Sequence, residues 1–495
     1  MARKTTKDDP AEAAAAGHGV LVRAANGDVI RYDPSGLVMR LSDKVIDDIA
    51  LRLGTSPAGQ AQAPGGAAPA VTRADPHELL EGIDAWDARI DGDWLIFAAR
   101  LAGRQGIRTF RRPLSGGDII ADAPGPLYGV LAIGGPRAAL ATPGGCAFPQ
   151  HVLAPADDIG AVGHAGVERA GTHDRLEHLR EMTHEALVAE TLLGWQLEKF
   201  EALPLFLTRA ETDSSATSAD LATGRAYKNL ITAAANLSRA AAALGKRAKI
   251  LAIHLDFALE DMSGSAAAYR DGILALMAQT ERDLGQLGFD KPLFVARFES
   301  GGPEVATEAA IEGQWELIWN HADHRLIFSA PGYMFAQDDH DRPTEAARRE
   351  MAEMTAAAIS AADDWRCPTF HLAERSSREG GSIIRVVAQA AGDLVIDKDD
   401  PLGAGKTAGF KLVGAENGAR ITTVTIDPGD PKSLLLACSK APEGADLRVA
   451  YAFGTGDRGC GSVRDDWQMQ GATGRSLHRW ALPCLLPVRD GDGDA

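Results

Sequence analysis

Residues 130–140 read Val-Leu-Ala-Ile-Gly-Gly-Pro-Arg-Ala-Ala-Leu. An apolar run ends at Gly134 and Gly135. Pro136 then opens a stretch suited to a helix start, since the N–H it lacks would be unpaired there in any case. Strand, glycine turn and helix start in succession is where α/β proteins place phosphate cradles or a nucleophile. This junction carries no Ser, Thr, Cys or Lys, and neither a GxGxxG fingerprint nor a Walker-type lysine accompanies it.

Four more apolar runs follow: LPLFLTRA (203–210), AKILAIHLD (248–256), KPLFVARF (291–298) and RLIFSAP (325–331). Long segments of helical character separate them, among them DRLEHLREMTHEALVAETLLGWQLEKF and GRAYKNLITAAANLSRAAAALGK. Continuous apolar strands alternating with helices indicate a parallel sheet covered on both faces. The fold class expected over 127–375 is therefore α/β, a doubly wound five-stranded parallel sheet.

The flanks read differently. GVLVRAANGDVIRYD alternates around Asn26-Gly27 as a hairpin, and LSDKVIDDIALRLG reads as an amphipathic helix capped by Ser42 and Gly54. Together they make residues 1–54 a small attachment module. An Ala/Pro/Gly linker occupies 55–75, and a β-hairpin lead-in, DWLIFAARLAG with GIRTFRRPL, lies in 76–126. Beyond Arg375, short runs such as IIRVVAQ, RITTVTI and LRVAYAF stand between Gly/Asp/Pro clusters, which predicts an all-β sandwich over 376–495. Its Trp-containing tail from Gly459 onward reads as irregular.

At 495 residues the chain exceeds a single core. Its net charge of −17 argues against nucleic acid and anionic lipid as partners. The five cysteines form no CxxC pair, so neither a disulfide framework nor a zinc site is expected. No apolar run approaches ~18 residues, so no membrane insertion is expected. The N-terminus lacks the apolar core of a secretory signal.

Ligands of open parallel sheets bind beyond the carboxyl ends of the strands. Those ends carry Gly134, Gly135 and Arg137; then Asp213, Ser214 and Ser215; then Asp256; then Arg297; and last Asp339, His340 and Arg342. Hydroxyls, carboxylates and arginines in one ring suit a carbohydrate. No cofactor and no metal are expected. His173, His178 and His184 read as solvent-facing positions on one long helix without a metalloprotease pattern, and His254 reads as a satisfied core residue.

The order of these blocks resembles the SGNH/GDSL hydrolases, in particular their sialate-O-acetylesterase-like branch. GGPRA at 134–138, the helix AYKNLITAAANLSRAAAALGK, the segment AAAYRDGILALMAQTERDLGQLGFDKPLFVAR and the turn Asp339-His-Asp-Arg-Pro-Thr344 carry the resemblance. It implies a nucleophilic Ser where this chain has Pro136 and a catalytic His where it has Arg342, with Asp339 keeping the Asp position. The block matching the oxyanion hole reads Phe257-Ala-Leu-Glu-Asp261. Proline has no proton to lose and arginine accepts none near neutrality. The resemblance thus implies a pseudoenzyme with no catalytic residues. A rebuilt esterase would use Ser214 or Ser215 with His340 and Asp339.

The expected function is non-catalytic carbohydrate binding, by Gly134, Gly135, Arg137, Asp213, Ser214, Asp256, Arg297, Asp339, His340 and Arg342. The layout resembles receptor-binding fibres and spikes of phages or gene transfer agents. Such a protein would be made in the bacterial cytoplasm without a signal peptide and carried on a virion or extracellular particle. Its partners would be a cell-surface glycan and, through the N-terminal module, other particle proteins, with a homo-oligomer left open. A purely structural connector and an active O-acetylesterase are the rival expectations.

Overall fold

The computed structural model describes residues 19–23, 29–33, 36–40, 76–164, 170–213, 216–257, 264–301, 308–321, 323–338, 342–376, 382–454 and 458–491. The chain forms two compact units, Met1–Val71 and Thr72–Ala495. In the first, β1 (Gly19–Arg23), β2 (Val29–Asp33) and β3 (Gly36–Arg40) make an antiparallel sheet. The β1–β2 pair is the expected hairpin. The helix expected over 41–54 and the linker lie outside the described residues.

The second unit begins with α1 (Pro76–Leu79) and an antiparallel sheet of β4 (Ala85–Asp91), β5 (Trp94–Arg100), β6 (Ile107–Pro113) and β7 (Ile120–Ala121). Phe97 and Phe110 face each other across the β5–β6 hairpin, both fully buried.

Eight strands then build a mixed sheet. These are β8 (Leu127–Gly134), β9 (Val152–Pro155), β10 (Val162–His164), β11 (Leu176–His178), β12 (Leu205–Thr212), β13 (Ala248–Asp256), β14 (Phe294–Phe298) and β15 (Leu326–Pro331). The order is β11-β9-β12-β8-β13-β14-β15, with β10 also paired to β12. The five apolar runs are the parallel set β12-β8-β13-β14-β15. The sequence did not announce β9, β10 and β11, which have only three or four residues each.

Successive side chains of a strand point to opposite faces, and the core divides accordingly. Val130, Ala252 and Val295 share an apolar cluster with α2 (His184–Glu198) and α7 (Glu345–Ala361). Leu131, Ile253 and Phe294 share another with α4 (Arg225–Ala243) and α5 (Ala266–Gln286). The short α3 (Ser218–Leu221) and α6 (Glu308–Trp319) pack against α5. Thr183, Ser265 and Thr344 start α2, α5 and α7 by accepting a backbone N–H at the third helical position.

The C-terminal third is strand-rich. β16 (Thr369–Arg375), β17 (Ile383–Gln389), β19 (Phe410–Val413), β20 (Ile421–Asp427), β21 (Asp430–Cys438), β22 (Arg448–Tyr451) and β25 (Cys484–Asp490) form one sheet, ordered β19-β22-β25-β16-β17-β21-β20. A second sheet holds β18 (Leu394–Ile396), β23 (Val463–Gln470) and β24 (Ser476–Trp480). Two expectations change here. The tail read as irregular supplies β23, β24 and β25, and β16, which precedes the expected boundary at 375/376, pairs with β17 and β25. The α/β core and this region share one apolar cluster, which runs from Leu131 and Phe298 to Phe370, Phe410 and Trp480.

The long helix expected from 174 is interrupted. His173 lies in a loop, His178 ends β11, and the helix begins only at His184, so the three histidines do not share one helix. Nor do they all face solvent: the His178 ring bonds the Ile119 carbonyl at 2.7 Å, and the half-buried His184 bonds Thr355.

Candidate functional site

The parallel strands run in the chain order 2-1-3-4-5, so the topological switch lies between β8 and β13. β8 ends there on Gly134. A Cβ on Gly134 would stand 2.2 Å from the Asp256 carbonyl oxygen, so only glycine allows this approach. Gly135 N–H donates to that same oxygen at 3.1 Å, and Gly134 accepts from Asp213 N–H at 3.0 Å. The glycine turn is a clasp that joins three strand ends. Pro136 opens a single 3-10 turn, Pro136–Ala139, rather than an α-helix.

That turn delivers Arg137. A small cavity beside it is lined by Arg137, Thr142, His184, Asp256, Arg297 and Arg348, with apolar walls from Leu140, Leu187, Pro343 and Met351. Arg137 pairs with the buried Glu299 at 3.2 Å, and Arg297 with Asp256 at 3.1 Å. Burial works to raise the Asp256 carboxyl. The Arg297 guanidinium, with His254, Arg137 and His184 behind it, nevertheless holds it well below the usual carboxylate range.

His184, the first residue of α2, stacks on His254 with ring centroids 4.4 Å apart and shares a hydrogen bond with Thr355 Oγ1 at 3.1 Å. Burial, reinforced by His254 and Arg297, pushes its imidazole well below the ordinary value, so the ring is neutral near pH 7. His254 is 3% exposed, and its Nδ1 meets Glu185 Oε1 at 3.2 Å, a satisfied core position. The Thr142 N–H donates to the Met182 carbonyl at 2.8 Å, which brings Thr142 beside the start of α2. Arg348, on α7, donates from Nη1 to the Ala141 carbonyl.

Of the expected ligand-binding residues, the cavity gathers Arg137, Asp256 and Arg297. Gly134, Gly135 and Asp213 commit backbone groups to the clasp and do not line it. Arg342 is exposed; its N–H donates to the Asp338 carboxylate at 3.0 Å, and only its neighbour Pro343 reaches the cavity wall. Ser214, Ser215, Asp339 and His340 lie outside the described residues. Sequence reasoning missed Thr142, His184 and Arg348. Thr183 followed by Glu185 is an N-cap with a first-turn acid, a signal that would have started the helix at His184.

No protein-family model and no curated protein matches this chain. Among solved structures, a carbohydrate acetylesterase from Xanthomonas citri is similar over 80% of this chain and 86% of its own, with 14% identity and a TM-score of 0.46. A protein from Arabidopsis thaliana is similar over 48% of this chain and 98% of its own, with 12% identity and a TM-score of 0.35. Likenesses this distant bear on neither substrate nor chemistry.

Proposed function

We propose that the chain is a non-catalytic glycan-binding protein that grips its ligand at the carboxyl ends of β8, β13 and β14. One observation carries this reading: three guanidiniums, from Arg137, Arg297 and Arg348, converge on a cavity at the sheet's switch point in a chain of net charge −17. Guanidiniums concentrated there against the sign of the whole molecule fit an anionic or hydroxyl-rich ligand. The absence of catalysis is supported by what the groups are committed to. Pro136 stands where the SGNH resemblance puts a nucleophile, Arg297 holds Asp256 ionised, and His184 is neutral and bonded to Thr355. In this proposal the ligand is a surface polysaccharide, and the N-terminal unit anchors the protein to a phage-like particle. The test is retention of the purified chain on immobilised capsular or lipopolysaccharide glycans, beside an assay with p-nitrophenyl acetate. Retention without turnover is expected. Turnover would favour a carbohydrate esterase, and failure to retain any glycan would end the binding proposal.

A further inference from the structure

We infer that the cavity is built to take a carboxylate, so that the glycan is recognised through a sugar acid whose acid group enters while its ring stays outside. The sugar rests on the reading above; the carboxylate rests on the cavity alone.

Charge comes first. Arg137 faces Glu299 and Arg297 faces Asp256, but Arg348 is paired with no carboxylate among the described residues. Among the described residues the cavity therefore keeps a surplus positive charge beside apolar walls, which a bound anion would neutralise.

Donors come second. Thr142 is 4% exposed, and its buried Oγ1 has no hydrogen-bond partner among the described residues. The same holds for the buried Nε of Arg348. Both residues line this cavity, and Arg348 is tied to Ala141, the neighbour of Thr142. Buried donors in native proteins are nearly always satisfied. A carboxylate can accept from both, and unlike water it also neutralises the surplus charge.

Size favours the smaller anion. The cavity is about 20 Å³. One water-sized sphere needs about 10–15 Å³, so the space holds one or two oxygen-sized groups and suits a small planar carboxylate better than a tetrahedral sulfate or phosphate ester.

The experiment is calorimetric titration of the whole chain with acetate, glucuronate, glucose, inorganic sulfate and inorganic phosphate. Acetate and glucuronate should bind, glucose should not, and sulfate and phosphate should bind more weakly than either carboxylate. Arg348→Ala should weaken glucuronate by roughly tenfold or more, as loss of a charge-assisted hydrogen bond implies. Thr142→Val keeps the shape, loses the hydroxyl and should weaken it several-fold. Melting curves establish that each variant is folded. The inference is overturned if the folded chain binds neither carboxylate, if it prefers sulfate or phosphate, or if both variants keep the affinity of the unaltered chain. Carboxylate binding that is lost in the variants, without retention of any polysaccharide, upholds the cavity and ends the glycan reading. Retention of acidic polysaccharide that is equal in the unaltered chain and in Arg348→Ala does the reverse.

Discussion

A methyl group is enough to test the clasp under the cavity. Alanine at 134 would press its Cβ to 2.2 Å from a backbone oxygen of β13, which cannot swing aside as a flexible side chain would. Gly134→Ala should cost about 2 kcal/mol or more, measured by urea unfolding. Another single-residue effect is read through pH. His151 is 2% exposed; its Nδ1–H donates to the Pro204 carbonyl at 3.0 Å, while Nε2 has no partner among the described residues. Burial, with Arg108 adding to it and the Pro204 bond opposing it, lowers its pKa from 6.5 to about 4. The unfolded chain therefore takes up a proton between those values that the folded chain refuses. Stability should be flat above pH 6.5 and fall towards pH 4, by roughly 3 kcal/mol from this residue. His184 acts in the same direction. His151→Asn keeps a donor for Pro204 but cannot titrate, so its melting temperature should decline less over that interval.

At the scale of elements, the hairpin β23–β24 is fastened to α7 by acids on the helix. Glu350 accepts from Thr473 Oγ1 at 2.9 Å and pairs with Arg475 at 3.1 Å, and Glu353 accepts the Ala472 N–H at 2.7 Å. Glu350→Ala leaves the Thr473 hydroxyl of the hairpin turn without its partner and leaves Arg475 only its bond to the Met334 carbonyl. It should cost about 1–3 kcal/mol and speed amide exchange in the turn before the sheet. The same hairpin shows what the sequence could and could not disclose. The five parallel strands were legible because both their faces are buried, which writes a continuous apolar run into each. β23 reads VRDDWQMQ, and its buried Asp465 looks like a solvent-facing charge. It belongs to the core because Arg479 of β24 meets it at 2.7 Å and lies over the rings of Trp365 and Trp467. That pairing exists only once the strands are side by side. The site divides in the same way. Arg137, Asp256 and Arg297 follow from strand ends, which the apolar runs locate. Thr142, His184 and Arg348 arrive from a loop and two helices whose meeting point no local pattern encodes.

For the whole molecule, the question is which part of the chain the cavity needs. Every cavity residue and every element that holds one belongs to the unit Thr72–Ala495. Within that unit one apolar cluster joins the mixed sheet to the strand-rich third, so the two are expected to unfold together rather than in sequence. The cluster includes residues as far apart in the chain as Leu79 and Leu486, so truncation from the C-terminal side would open it. Truncation from the other side should not, since residues 1–71 form their own compact unit. A chain beginning at Thr72 should therefore melt in one transition at the temperature of the longer chain and bind glucuronate with the same affinity. In the proposed division of labour it should lose only attachment to the particle. Differential scanning calorimetry and the same titration provide the measurement. A lowered melting temperature, or a loss of glucuronate binding in a fragment that still folds, would mean that the first unit helps to build the site.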